Sequence, residues 1–159
     1  MKRFGQPVGP EVSGWNGVDR PPREPIVGRY CRIEPLNTMS HVDELYEAFS
    51  EDVDGILWTY MFVGPFESKE KFRTWVETAC ETDDPLFHAI IDASTNKAVG
   101  IASYLRIRPD VGVIEVGNIT YSTRLQRTPM ATEAMFLMMA RAFDELGYRR
   151  YEWKLKNHL

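Results

Sequence analysis

Two stretches of the chain bring together groups with chemical potential. In "VGVIEVGNITYS" a carboxylate, Glu115, stands two residues before Gly117 on a run that alternates like a strand. A strand carboxylate of that kind can take a proton from a nucleophile, or it can simply sit in an ion pair on a solvated edge. In "TYSTRLQRTPMATEAMFLMM" a strand-like end passes through a basic loop into a helix led by Thr128 and Pro129. The first N–H groups of a helix have no partner inside it, so such a junction can hold an anion, or it can be only a turn. Thr128 has the side chain of an N-cap, and Pro129 at the first helical position gives up an N–H that no intrahelical acceptor needs. Arg124 and Arg127 add mobile positive charge beside it.

Other reactive side chains are less suggestive. His88 in "LFHAI" alternates with Leu86 and Ile90, as expected for a hydrogen-bonded histidine within a sheet, although it remains a second candidate base. His41 reads as a surface residue at a helix start. Cys31 and Cys80 are too few and too far apart for a disulfide framework, and no metal-ligand spacing or Ser-His-Asp order stands out. Both read as small apolar thiols in a reducing compartment.

The elements that must position these groups follow from periodicity. Residues 1–25 hold five prolines and four glycines and form an extended arm, anchored by Trp15; residues 26–159 form the domain. "IVGRYCRIEPL" is a first strand closed by Pro35. Ser40 opens a helix carrying Val42, Leu45, Tyr46 and Phe49, and Ser68 caps a second with Phe72, Trp75, Val76, Ala79 and Cys80 as its apolar stripe. The aromatic link between them, with Trp58, Tyr60, Phe62 and Phe66, either walls a cleft or packs. Three strands with short links follow as an antiparallel meander. A helix from Pro129 to about Leu146, apolar around most of its girth and ended by Gly147, leads to a last strand, "YRRYEWKL". Strand, helix, strand in a right-handed crossover makes the last strand parallel to the one ending at Tyr121. The fold class is therefore α/β with α+β character, a mixed central sheet with helices.

Composition narrows the function. With 19 basic and 23 acidic residues the formal charge is −4, which gives no general field for nucleic acid or an anionic membrane. The N-terminus lacks an apolar run after Lys2 and Arg3, and no segment is apolar over the ~20 residues of a membrane span. A cytoplasmic protein without nucleic-acid or membrane partners is the expectation.

This order of elements resembles the GNAT superfamily of acetyl-CoA-dependent N-acetyltransferases. It looks like the branch that includes the ribosomal-protein N-terminal alanine acetyltransferases. The resemblance is carried by "GRYCRIEPL", "WTYMFVGPF", "IASYLRI", "IEVGNITYS", "LQRTPMATEAM" and "FDELGYRRYEWK". The family's pyrophosphate loop reads Gln or Arg, two variable residues, Gly, one variable residue, then Gly or Ala. Gln126, Arg127, Thr128, Pro129, Met130 and Ala131 occupy it, with Pro129 where Gly is usual.

The resemblance implies acetyl transfer from acetyl-CoA to a primary amine, a protein N-terminus or a small molecule, by direct attack through a tetrahedral intermediate, with no metal. It assigns the diphosphate to Gln126 and to the N–H groups of Arg127, Thr128, Met130, Ala131 and Thr132. The pantetheine falls beside Ile119, Thr120 and Tyr121, and backbone N–H groups around Asn118 to Thr120 would polarise the thioester carbonyl, which makes Asn118 a candidate catalytic residue. Gly117 is consistent with a bulge there. Glu115, sharing a strand face with Val113 and Ile119, is the candidate base. Family members continue past "YEWK" with a helix and two further strands, so the domain reads as truncated after its fifth strand. Its last strand is then an exposed edge open to homodimer formation. A non-catalytic coenzyme A-binding or interaction module, and a fragment of a longer acetyltransferase, are the alternatives.

Overall fold

The computed structural model describes residue 10, residues 13–52 and residues 66–154. Trp58, Tyr60 and Phe62, offered above as cleft aromatics, lie outside the described residues. One six-stranded sheet organises the rest, with strands in sequence order from β1 to β6. These are β1 (Ile26–Val27), β2 (Cys31–Pro35), β3 (Leu86–Asp92), β4 (Lys97–Arg108), β5 (Val113–Tyr121) and β6 (Arg150–Trp153). The first five pair antiparallel, and β6 runs parallel to β5. The mixed sheet, its meander and its crossover match the expected α/β architecture.

The first strand of the sequence reading is in fact two. Ile26 pairs with Ile33 and Val27 with Arg32 across a turn that the Gly28 N–H closes onto the Cys31 carbonyl at 2.9 Å. A Cβ on Gly28 would come within 2.3 Å of the Glu133 carboxylate, so the turn excludes any side chain there. The short alternation of "IVGRYCRI" hides this reversal because both halves carry apolar residues inward, Ile26 in the first and Cys31 and Ile33 in the second.

Helix α1 (Thr38–Phe49) begins two residues earlier than Ser40: Asn37 is its cap, and its side chain accepts the Ser40 N–H at 3.0 Å. Helix α2 (Lys69–Glu81) is capped by Ser68 as expected, through the Lys71 N–H. Successive strand residues point to opposite faces, and a register shift at Ile90–Ile91 gives β4 one extra residue, so that Ala89, Ile91, Ala98 and Ile101 all pack with Val42, Leu45, Phe72 and Val76 of these two helices. On the other face Ile90, Val99, Ala102 and Tyr104 pack with Ala134, Met138 and Ala142 of the crossover. Each large side chain so buried contributes about 1.5–3 kcal/mol. Two layers of helix therefore enclose the sheet centre.

The crossover is α3 (Pro129–Ala140), which widens into a single π-type turn over Arg141–Glu145 and ends before Gly147 at φ +79. Arg141, buried in that turn, donates to the carbonyls of Glu24 and Pro25 at 2.7 and 3.2 Å. Trp15 donates to the Asp110 carbonyl at 2.8 Å under the Arg149 guanidinium. The N-terminal segment is thus strapped over one end of the sheet.

Two histidines differ from expectation. His41 is buried, accepting the Asn37 N–H at Nδ1 and meeting Glu34 at 2.7 Å through Nε2. Its helical spacing from Leu45 and Ala48 puts it on the buried stripe of α1. His88 is fully buried edge-on to Tyr104, and neither ring nitrogen has a hydrogen-bond partner among the described residues. Desolvation holds it neutral, with its pKa pushed down to about 4.

Candidate functional site

The pairing of β4 with β5 is interrupted twice, once in each strand. Register shifts between Ile101 and Ser103, so that Asn118 and Ile119 together oppose Ala102, and Asn118 sits in the left-handed region at φ +51. A bulge of this kind adds one residue and reverses which face the following side chains occupy. Ile114 and Val116 face α3, and after the bulge Ile119 and Tyr121 do so too. Glu115 therefore does not share a face with Ile119, contrary to the simple alternation. The Asn118 side-chain amide donates to Ser103 Oγ at 3.0 Å, and that hydroxyl donates to the Gly117 carbonyl at 3.0 Å. Asn118 thus fixes the bulge with its side chain.

The second bulge lies in β4, where Arg106 and Ile107 together oppose Ile114 and Arg106 adopts φ +46. Both N–H groups of this kink, Arg106 and Ile107, donate to the Asp84 carboxylate at 2.9 Å. The bulge turns the Arg106 guanidinium onto Glu115, whose buried Oε2 it meets at 2.8 Å, with Lys154 Nζ at 3.9 Å. Glu115 is thus a buried carboxylate with two cations about it.

Past Val116, which pairs with Trp153, β5 has no neighbour on its β6 side among the described residues. The Ser122 N–H reaches the Val99 carbonyl at 3.1 Å, making 99 with 122 and 101 with 120 the bonded pairs of the ladder. Thr120 is therefore tied to β4, whereas the N–H groups of Ile119 and Tyr121 face the open edge. At its inner end the opening joins a cavity of about 250 Å³ between β6 and α3, lined by Val116, Thr132, Met135, Phe136, Met139, Tyr151 and Trp153. The Tyr151 hydroxyl is buried there without a hydrogen-bond partner among the described residues.

The loop from β5 to α3 is closed by its own side chains. Gln126 Nε2 donates to the Tyr121 carbonyl at 2.9 Å, and the Thr128 hydroxyl donates to the Leu125 carbonyl at 2.6 Å. Thr128 stands at the N-cap position, yet its hydroxyl does not cap α3, a correction to the sequence reading. Arg127 adopts φ +58 and Thr128 is extended, an arrangement that points successive N–H groups into one concavity. The Ala131 N–H is taken by the Thr128 carbonyl at 3.1 Å, which removes it from the candidate donors. Those of Arg127, Thr128 and Met130 have no acceptor among the described residues. Thr132 lines the cavity through which this helix start meets the β5 edge.

Arg124 is paired: it meets Glu51 at 2.6 Å and Glu47 at 3.5 Å, tying the loop to the end of α1. On the far side of the helix start lies a second cavity of about 400 Å³, bounded by Arg29, Tyr30, Asp92, Ser94, Thr128 and Met130. Glu133, which sequence reasoning missed, reaches from α3 to the turn that bounds this cavity. Its carboxylate accepts the N–H groups of Arg29, Tyr30 and Cys31 at 3.0, 2.8 and 2.9 Å. No local pattern announces this, because the partner turn lies about a hundred residues away. The Cys31 thiol beneath is buried and its pKa is pushed up to about 12, first by desolvation and then by Glu133, so it is no nucleophile.

The model of the acetyltransferase (GNAT) domain family matches residues 31–158. The chain belongs to the GNAT acetyltransferase family. A solved GCN5-related N-acetyltransferase from Brucella melitensis is 43% identical, with a TM-score of 0.87. The match covers 89% of this chain and 64% of that one, so this chain spans less than two thirds of its relative's length. A probable acetyltransferase of the GNAT family from Chromobacterium violaceum ATCC 12472 is 32% identical over 96% of this chain and 75% of that one, with a TM-score of 0.83. At 14% identity and a TM-score of 0.61, the ribosomal L7/L12 α-N-protein acetyltransferase RimL shares the fold, over 87% of this chain and 71% of its own. No curated protein matches the sequence. Among the described residues no cluster of side chains suits a metal ion, and no helix is long and apolar enough to cross a membrane.

Proposed function

We propose that this GNAT domain binds acetyl-CoA at the junction of β5 and α3 and delivers the acetyl group to a primary amine. The observation that carries this reading is the set of N–H groups on Arg127, Thr128 and Met130, without an acceptor among the described residues, at a helix start directly beside the part of β5 that β6 does not pair. A diphosphate suits such a donor set, since three amides and the positive end of α3 meet its charge without needing a mobile lysine. Pro129 is compatible with this role: it sets the helix start and leaves the flanking donors in place. Bound there, acetyl-CoA supplies an activated thioester.

The chain's own residues then have distinct tasks. The N–H groups of Ile119 and Tyr121, on the free edge, stand where a carbonyl oxygen gathering negative charge could be held; each such donor is typically worth about 3 kcal/mol. Gln126 keeps the loop closed against Tyr121 and so preserves the edge. Glu115 is the carboxylate available to take a proton from the amine, directly or through water.

A second reading is favoured by one observation. Arg106 occupies Glu115 Oε2 at 2.8 Å, which suits a domain that binds coenzyme A without turning it over. Calorimetric titration of acetyl-CoA, followed by product analysis with a panel of primary amines, separates the two. Binding with thiol release supports transfer, binding without it supports the second reading, and a folded chain that does not bind overturns both.

A further inference from the structure

We infer that Asp84 is a positioning residue: through the backbone of β4 it aims the Arg106 guanidinium at Glu115, and so sets the surroundings of the carboxylate to which the proposed reaction assigns the amine's proton. The catalytic half of this inference rests on that reading of Glu115; the geometric half does not.

Plain alternation along β4 would put Arg106 on the face of Tyr104, toward α3. Instead Tyr104 and Ile107, three residues apart, both lie in the core under α3, and Arg106 leaves on the opposite side to meet Glu115 Oε2 at 2.8 Å. The extra residue of the bulge makes that reversal. Arg106 holds φ +46, a region that a residue with a side chain enters at a cost and keeps only where its neighbours fix it.

Asp84 is the neighbour that fixes it. A left-handed residue turns two successive N–H groups toward one point, which makes a small seat for an anion. The Asp84 carboxylate occupies that seat with one oxygen for each donor, Oδ1 for the Arg106 N–H and Oδ2 for the Ile107 N–H, both at 2.9 Å. Its own loop is held in turn by the N-terminal segment. Arg20 donates to the Asp83 carbonyl at 3.0 Å, and Arg23 donates to the Thr82 carbonyl at 2.9 Å and meets the Asp83 carboxylate at 2.8 Å.

The ion pair does not supply this aim for itself. The Arg106 side chain is 60% exposed, and an exposed guanidinium gains little from one carboxylate relative to the freedom it gives up. Backbone direction therefore decides where it points. The other charges about Glu115 come from β6 and its end: Glu152 pairs with it across the parallel strands, and Lys154 Nζ lies at 3.9 Å.

The test reads the pair and the chemistry separately in the full chain. Heteronuclear NMR of the Arg106 side chain reports whether its guanidinium is held: in the parent its Nη–H signals should be resolved, and in Glu115→Gln they should merge through free rotation. Asp84→Ala should merge them too. So should Asp84→Asn, which keeps the shape of the side chain but turns one acceptor into a donor facing an N–H. Circular dichroism matching the parent shows each variant to be folded. Signals merged in the parent, or still resolved in both Asp84 variants, overturn the inference. In turnover, Asp84→Ala should reproduce the pH profile of kcat/KM given by Arg106→Gln. Adding it to Arg106→Gln should change kcat/KM by less than about two-fold at any pH, since residues acting through one pair are not additive. An equal loss on both backgrounds shows a role in stability alone and overturns the positioning role. A profile unaltered by Glu115→Gln refutes the reading of Glu115 as base, and the NMR result still decides whether Asp84 holds the pair.

Discussion

Glu133 of α3 accepts the Tyr30 N–H at 2.8 Å, joining the start of the crossover helix to the turn between β1 and β2. With Arg29 and Cys31 also donating, one carboxylate satisfies three consecutive backbone groups of that turn. Partial burial pushes its pKa up, but the three N–H groups outweigh that and hold it below the usual carboxylate value. Glu133→Ala should destabilise the fold by about 1–3 kcal/mol, since it leaves the turn's amides without their acceptor. The sign with pH follows from the lowered pKa. The contribution is complete above about pH 4.3, the unfolded value, and is lost as pH falls through the folded one. Urea titrations of parent and variant should therefore converge in acid, and a constant gap down to pH 2 would contradict the assignment.

His88 gives the opposite design, a titratable ring fully buried against Tyr104. Burial pushes its pKa down to about 4, against an opposing backbone interaction with Leu86 and with lesser help from the positive charges of Arg141 and Arg23. The unfolded ring takes its proton near pH 6.5, so stability is full above that value and falls as pH drops from 6.5 toward 4. The loss approaches about 3 kcal/mol. His88→Leu removes the titration and should be more stable than the parent at pH 4.5 while losing that advantage by pH 8. Thermal melts at both values decide it; an advantage equal at both would show that packing alone is responsible.

Most of this fold is written in periodicity, and the misses have identifiable physical sources. The meander, the crossover and both caps' neighbourhoods follow from alternation, helical spacing and turn residues. The β1–β2 reversal was concealed because Gly28 works through a contact with Glu133 about a hundred residues away, and spacing cannot display that. At the site, Gln126 to Thr132 could be picked out because a strand, a loop and a Pro-led helix are contiguous. Which N–H groups stay open was not legible, since it depends on Thr128 turning its hydroxyl back to Leu125. Likewise the face of Glu115 is set by two bulges, and a bulge is a mismatch between strands that neither strand's sequence states.

Two tyrosines under α3 offer a controlled comparison. Tyr104 donates its hydroxyl to the Met138 carbonyl, whereas the Tyr151 hydroxyl is buried without a partner among the described residues. Removing the first oxygen should cost about 1 kcal/mol, because a carbonyl of α3 loses its extra donor. Removing the second should leave stability unchanged or raise it by about 1 kcal/mol, because a buried hydroxyl without a bond is a desolvation penalty. Melting of Tyr104→Phe and Tyr151→Phe reads this directly. A Tyr151→Phe protein that melts well below the parent would show that its hydroxyl has a bonding partner in solution.

Glu115 and Arg106 set the last prediction, which concerns turnover. An α-amino group has a pKa of about 7.7–8.0, so below pH 7 most of it is protonated and a base has the most to contribute. If Glu115 takes that proton, Glu115→Gln should lower kcat/KM about 100-fold at pH 6.5 and much less at pH 9. Arg106→Gln tests the partner: it frees Glu115 Oε2 from a guanidinium that is itself largely exposed, leaving Lys154 at 3.9 Å as the nearby cation. That variant should keep the parent's pH dependence if the pair is only structural. It should raise activity at low pH if the guanidinium competes with the amine's proton for the carboxylate. A pH profile unaltered by Glu115→Gln removes this carboxylate from the chemistry and leaves the amine to lose its proton to solvent.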